Sequence, residues 1–130
     1  MLKSIKILII SERQERLSDF AHALQEDRDV ELLAATKVED AINMAEYHAP
    51  ALIVVDEQVG DLSGLDLVRR LIEVNAFVNA AVFSSLTEEE FHRRSEGLGI
   101  LARLPIQPGN KDALKLLDLL RPLMPTIRPK

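Results

Sequence analysis

The feature that most constrains the fold is a set of five short apolar runs, rich in β-branched residues, that recur along the 130-residue chain. Runs such as ILII and ALIVV do not alternate between apolar and polar residues. Strands of that composition are buried on both faces, which is typical of a parallel sheet. The runs are IKILII (5–10), VELLAA (30–35), ALIVV (51–55), AAVF (80–83) and ILARL (100–104).

The segments between these runs have a helical period. Leu17, Phe20, Ala21 and Leu24, for example, lie at positions i, i+3, i+4 and i+7. The segment 88–96 has Phe91 as its one large apolar residue and predicts a short, largely exposed helix. Strands that alternate with helices through short connections predict right-handed βαβ crossovers. The predicted fold is therefore a doubly wound α/β sandwich with helices on both faces of the sheet.

Four motifs at the strand-to-helix junctions match or approach the capping box, in which side chains bind the free N–H groups of a first helical turn. They begin at Ser11, Thr36, Ser63 and Thr87, and Asn110 is the candidate cap of the last helix. On this interpretation Ser11 is a helix cap rather than a site residue.

Composition limits the function classes. The net charge of −5, without a cluster of Lys and Arg, argues against non-specific nucleic-acid binding. The absence of cysteine excludes disulfides and thiolate metal sites. The first apolar run is too short for a secretory or membrane segment, so a cytoplasmic location is expected. One domain is predicted over 1–124, followed by a tail at 125–130; three prolines in RPLMPTIRPK predict that the final helix frays near 121–124.

Open α/β sheets bind ligands beyond the carboxyl ends of their strands. The first run ends in Ser11-Glu12, the third in Asp56-Glu57 and the fourth in Ser84-Ser85. Glu12 and Asp56 are therefore expected to face one another at neighbouring strand ends. Two close carboxylates share a proton or a cation, and hard oxygen ligands of this kind suit Mg²⁺.

The order ILIIS-E, IVVDEQVGDLSGLDLVRRL, VFSS and EGLGILARLP resembles the receiver domain of two-component response regulators over nearly the whole chain. Its most specific part is Asp56, followed eight residues later by Gly64; Ser84, Gly97 and Pro105 also lie where that pattern expects them. The resemblance implies a flavodoxin-like five-stranded parallel sheet of order 2-1-3-4-5. It further implies that Asp56 accepts a phosphoryl group from a histidine kinase or phosphotransfer protein, with the Ser84 hydroxyl contacting that group.

The resemblance also implies a metal site formed by Glu12, Asp56 and the backbone carbonyl of Gln58. The pattern usually has two acidic residues after the first strand, but here the first of them is replaced by Ser11 and only Glu12 is acidic. Because one acidic ligand is missing, Mg²⁺ is expected to bind weakly or not at all. Three further positions depart from the pattern. Leu104 stands where the pattern has a lysine, and Leu101 stands where it has an aromatic residue in the fifth strand. Gly60 stands where the pattern has a proline after the acceptor.

Leucine cannot neutralise the nearly two negative charges of a phosphoryl group, and phosphoryl transfer depends on positioning and charge neutralisation. The sequence offers two substitute cations. Arg13 is adjacent to Glu12, whereas strand alternation turns Arg103 to the other face. The resemblance also predicts a cis peptide bond before Pro105.

Three functions remain open from the sequence. In a working receiver, phosphorylation shifts a pre-existing equilibrium and changes the surface of the fourth helix, fifth strand and fifth helix, to which a downstream protein binds. In a pseudo-receiver, the fold binds a protein partner or forms a homodimer without phosphorylation. An enzyme that binds a flavin or nucleotide is disfavoured because SERQER, the first strand–helix turn, has no glycine to approach a phosphate.

Overall fold

The structure is a computed structural model that describes residues 5–124. Its strands are β1 (Ile5–Ile10), β2 (Val30–Ala35), β3 (Leu52–Val55), β4 (Gln58–Val59), β5 (Leu62–Ser63), β6 (Asn79–Phe83) and β7 (Ala102–Leu104). Five of them form a parallel sheet of order β2-β1-β3-β6-β7, while β4 and β5 form a separate hairpin. Counted without the hairpin, this is the order 2-1-3-4-5, so the predicted fold is confirmed.

The helices follow the strands in regular alternation. They are α1 (Ser18–Gln25), α2 (Val38–His48), α3 (Gly64–Val74), α4 (Glu88–Arg94) and α5 (Asn110–Leu120), with 3-10 turns at Gln14–Leu17 and Arg121–Leu123. The predicted short helix is α4, which buries Phe91. The α-helical geometry of α5 ends at Leu120, one residue before the segment predicted to fray.

Alternate residues of each strand contact opposite layers of helices. Ile7 and Ile9 pack with α1 and α5, whereas Leu8 and Ile10 pack with α2 and α3. All four side chains are at most 1% exposed. Full burial of one such side chain contributes about 1.5–3 kcal/mol, which explains why the runs are apolar on both faces.

Two of the four predicted capping motifs cap their helices. The hydroxyls of Ser63 and Thr87 accept hydrogen bonds from backbone N–H groups three residues later, at 3.1 Å. The other predictions shift by one or more residues. The N-cap of α2 is Lys37 rather than Thr36.

The predicted cap at Asn110 is also wrong, because Asn110 is already the first residue of α5. The N-cap is Gly109, whose backbone N–H donates to the Asp112 carboxylate at 2.8 Å. The free N–H is thus bound by an acidic side chain of the first turn, which also suits the helix dipole.

The hairpin β4–β5 was not predicted. Its turn contains Gly60 at φ +59°, in the left-handed region. Proline is fixed near φ −65° and cannot adopt this conformation, whereas glycine does so without a steric penalty. The departure at Gly60 from the receiver pattern therefore has a local backbone reason.

Within residues 5–124, no helix combines the length and the apolar content that a membrane crossing requires. The tail predicted at 125–130 lies outside the described residues. The domain boundary at 124 stays a prediction.

Candidate functional site

Three buried polar side chains lie at the carboxyl edge of the sheet. Ser11 follows β1, Asp56 follows β3 and Ser84 follows β6, and their exposed fractions are 0%, 9% and 5%. Because β3 pairs in parallel with both β1 and β6, these strand ends are neighbours. No other polar residue in the described part of the chain is buried to this degree. We call the group Ser11, Asp56 and Ser84 the notch.

Both carboxylate oxygens of Asp56 are hydrogen-bonded. The Ser11 hydroxyl donates to Oδ2 at 2.6 Å. The Arg16 guanidinium donates to Oδ1 at 2.7 Å, and the backbone N–H of Glu57 donates to the same oxygen at 2.8 Å. A buried carboxylate requires partners of this kind because transfer of an unpaired charge out of water is costly.

Arg16 is the site residue that the sequence analysis missed. It lies in the 3-10 turn Gln14–Leu17, where the fully buried Leu17 fixes the turn against the core. Its guanidinium carbon lies 5.9 Å from the centre of the Phe83 ring, and a second nitrogen donates to the Ile106 carbonyl. The cation of the notch therefore comes from neither Arg13, which is exposed, nor Arg103.

The prediction that Ser11 caps a helix is wrong. The N-cap of the first helical turn is Arg13, and no side chain caps it. Ser11 instead accepts a hydrogen bond from the Arg13 N–H at 2.9 Å while it donates to Asp56. Gln14 stabilises this loop by donating to the carbonyls of Ile9, Ser11 and Ala35.

The Ser84 hydroxyl accepts a hydrogen bond from the backbone N–H of Leu86 at 3.1 Å. It therefore lies in the notch but supports the loop that follows β6. Glu57 links the loops after β3 and β6, because its carboxylate accepts hydrogen bonds from both the N–H and the hydroxyl of Ser85 at 2.7 Å. These contacts join the loop after β3 to the loop after β6, on the β6 side of the notch.

The predicted metal-binding groups are the carboxylates of Glu12 and Asp56 and the backbone carbonyl of Gln58, and of the two carboxylates only that of Asp56 is buried. Glu12 is exposed beside the notch, and Gln58 is exposed with its side-chain amide donating to the Gly60 carbonyl. Within residues 5–124, no three His, Cys, Asp or Glu side chains converge as metal ligands. Asp56 is already paired with a guanidinium. This arrangement does not fit Mg²⁺, which binds through one or two carboxylates and several waters, because the one buried carboxylate is neutralised by Arg16.

The end of β7 is apolar. Leu104 is 5% exposed and packs with the core between α1 and α5, and the half-buried Leu101 packs against the same cluster. The predicted cis peptide before Pro105 is wrong, since no peptide bond in the described residues is cis. Arg103 points away from the notch as expected, and donates to the Leu86 carbonyl at 3.0 Å.

The sheet order β2-β1-β3-β6-β7 is that of the flavodoxin-like doubly wound fold. The sequence matches no protein-family model and no curated protein. The structure is similar to the chemotaxis response regulator CheY4 of Vibrio cholerae, with a TM-score of 0.77, 18% identity and coverage of 89% of this chain and 98% of that one.

A two-component response regulator from Clostridium difficile gives a TM-score of 0.76 at 21% identity, over 92% of this chain and 98% of that one. A response regulator protein from Burkholderia pseudomallei was solved with a phosphorylated aspartic acid, calcium ion and citrate. It gives a TM-score of 0.74 at 19% identity, over 90% of this chain and 66% of that one. At these identities the likeness establishes the fold, and function is argued from the site.

Proposed function

We propose that this chain is a receiver-like signalling module of the two-component type that acts through protein contacts rather than through Mg²⁺-dependent phosphorylation. The observation that carries the proposal is the Asp56 carboxylate, which already accepts hydrogen bonds from Ser11, Arg16 and the Glu57 N–H. A carboxylate held in this way is neutralised and positioned by the protein itself.

Phosphorylation of Asp56 requires one of its oxygens to attack phosphorus. Attack through Oδ2 weakens the bond from Ser11, and attack through Oδ1 competes with the bonds from Arg16 and the Glu57 N–H, of which the charge-assisted bond from Arg16 is the strongest. The buried Leu104 adds no positive charge for the incoming phosphoryl oxygens. Both features raise the barrier to phosphorylation without disturbing the fold.

The partner surface we propose is the face formed by α4, β7 and α5. On α5, Leu119 is 48% exposed and lines a cavity of 390 Å³ between β7 and α5. Lys115 and Asp118 line the same cavity. Exposed apolar side chains beside charges of both signs are typical of a protein-binding surface.

The test is to incubate the protein with Mg²⁺ and a small phosphodonor, and separately with a beryllofluoride mimic. Intact mass and amide NMR shifts are recorded. We expect no covalent adduct and no shifts around Asp56, as in the control variant Asp56→Asn. A phosphoryl adduct on the wild-type protein that is absent from the variant would contradict the proposal.

A working receiver is the second candidate, and one observation favours it. Asp56 and Ser84 end adjacent parallel strands, and Ser84 lines a cavity of 450 Å³ that also contacts Glu57. A histidine kinase or phosphotransfer protein would then be the upstream partner. Slow phosphorylation at Asp56, abolished in Asp56→Asn, distinguishes this function from the first.

A double variant tests whether charge alone separates the two functions. Ser11→Asp combined with Leu104→Lys is expected to raise Mg²⁺ affinity through the added carboxylate, which offsets the charge of Arg16, and to raise the phosphorylation rate through the added cation, which neutralises phosphoryl oxygens. Each single variant serves as a control for folding, because both positions are buried. Unchanged chemistry in a folded double variant would mean that the notch differs in shape as well as in charge.

A further inference from the structure

We infer that Arg16 is the resident counter-ion of the notch, and that its fixed charge excludes a divalent ion from Asp56. The inference deepens the proposed function and rests on it for its biological meaning. The ion pair between Arg16 and Asp56 is 2.7 Å long, and the two side chains are 19% and 12% exposed. It is the least exposed ion pair in the described part of the chain.

Arg16 is held in place by contacts other than the ion pair. Its guanidinium also donates to the Ile106 carbonyl, and it lies over the Phe83 ring. A planar guanidinium with several donors suits such multiple contacts, because it bridges two acceptors and stacks on an aromatic face at once. The cation is thus fixed by the loop after β7 and by the end of β6, as well as by Asp56.

Arg13 provides a matched comparison from the same loop. It lies three residues before Arg16 and is exposed, and it contacts the notch through its backbone N–H, which donates to Ser11. Removal of its side-chain charge leaves that contact intact. The two arginines therefore separate the effect of local charge in the notch from the effect of net charge on the protein.

A divalent ion beside Asp56 would meet the positive charge of Arg16. Even at the dielectric constant of bulk water, a monovalent and a divalent cation about 5 Å apart repel by more than the free energy of a tenfold affinity change. Replacement of Arg16 by a neutral residue leaves the Asp56 carboxylate without its cation. We therefore expect the variant to bind Mg²⁺ at least about tenfold more tightly than the wild-type protein.

The experiment is a Mg²⁺ titration followed by amide NMR, with no phosphodonor present, on the wild-type protein and on Arg16→Gln, Arg16→Lys and Arg13→Gln. We expect saturable shifts around Asp56 in Arg16→Gln alone. Arg16→Lys keeps the charge and should remain insensitive to Mg²⁺. A shift of the Gln107 amide is also expected in Arg16→Gln, because that N–H belongs to the same peptide group as the Ile106 carbonyl, which loses its hydrogen bond from Arg16.

Paramagnetic Mn²⁺ gives a test on the wild-type protein that needs no variant to fold. We expect no selective broadening at Glu12 or Asp56. Three results would overturn the inference. They are selective broadening at these residues, equal Mg²⁺ affinity in the wild-type protein and Arg16→Gln, and Mg²⁺ binding by Arg16→Lys at the affinity of Arg16→Gln. A phosphoryl adduct formed without divalent binding in the wild type would overturn the proposed function and support the inference.

Discussion

Gly64 links the fold to the notch more directly than any other glycine of the described chain. It is the first residue of α3, and its N–H donates to the Glu57 carbonyl at 2.8 Å. A Cβ atom added at Gly64 would lie 2.3 Å from the backbone carbonyl oxygen of Asp56 and 3.2 Å from Cγ1 of Val82. The substitution Gly64→Ala therefore pushes against the backbone that positions Asp56.

The cost of Gly64→Ala can be worked from this contact. Ordinary contacts of a Cβ atom begin near 3.4 Å, so the helix and the Asp56 backbone must separate by roughly 1 Å. Such overpacking costs about 3 kcal/mol, at the upper end of the usual range, because the opposing atom is backbone and cannot rotate away. The higher helix propensity of alanine offsets up to about 1 kcal/mol of this loss in the free energy of unfolding. The expected loss of unfolding free energy is about 2 kcal/mol, which lowers the Tm by roughly 6–10 °C.

The assay is urea denaturation of Gly64→Ala beside the control Gly109→Ala. Gly109 has an extended backbone, and an added Cβ would meet no atom within 4 Å, so the control should stay within about 1 kcal/mol of wild type. Amide NMR should show shifts at Asp56 and Glu57 in Gly64→Ala alone. Equal stability of the two variants, with no shift at Asp56, would refute the argument from the close contact.

Two further predictions concern stability away from the notch. Burial raises the pKa of Asp27, but hydrogen bonds from Arg121 and a backbone N–H outweigh it and hold the pKa below its ordinary value. Asp27→Asn should therefore lower the free energy of unfolding by up to about 1 kcal/mol at pH 7, a small effect because Arg121 is 44% exposed. In urea denaturation, the stability difference between wild type and variant should vanish as the pH falls through the lowered pKa of Asp27. A difference that stays constant with pH would contradict the ion pair. Phe20→Ala should cost about 3–5 kcal/mol, because Phe20 is fully buried and edge-to-face with Phe83, whereas Phe77→Ala, at a 94% exposed position, should cost less than about 0.5 kcal/mol in the same assay.

The parts of the fold that could be predicted are those encoded by neighbouring residues. Burial on both faces is encoded within the runs of β1, β3 and β6 themselves, and the caps at Ser63 and Thr87 depend on a partner three positions away. Thr36 shows the limit of such patterns, because its motif fits the sequence but α2 begins one residue too late to use it. The hairpin at Gly60 was missed since two-residue strands carry too little pattern to detect.

The notch could be predicted only in part, because its contacts join distant residues. The carboxyl-edge rule places Asp56 and Ser84 at strand ends, where both lie in the structure, while their roles stay predictions. Arg16, however, is 40 positions from Asp56 and 90 from Ile106, so no short motif joins it to its partners. The available signal was physical: a buried aspartate needs a cation, and Arg16 is the arginine next to the apolar residue that anchors the turn.

The departures from the receiver pattern are better understood together than singly. A serine at position 11 replaces a negative charge with a neutral donor to Asp56, and a leucine at position 104 removes a positive charge. The remaining charges, Asp56 and Arg16, cancel within the protein. An aspartate at 11 alone would leave a buried negative charge in excess, and a lysine at 104 alone would leave a buried positive one, each of which is costly. On the proposed function, Ser11 and Leu104 therefore compensate one another in charge, and Arg16 rather than a bound ion balances Asp56.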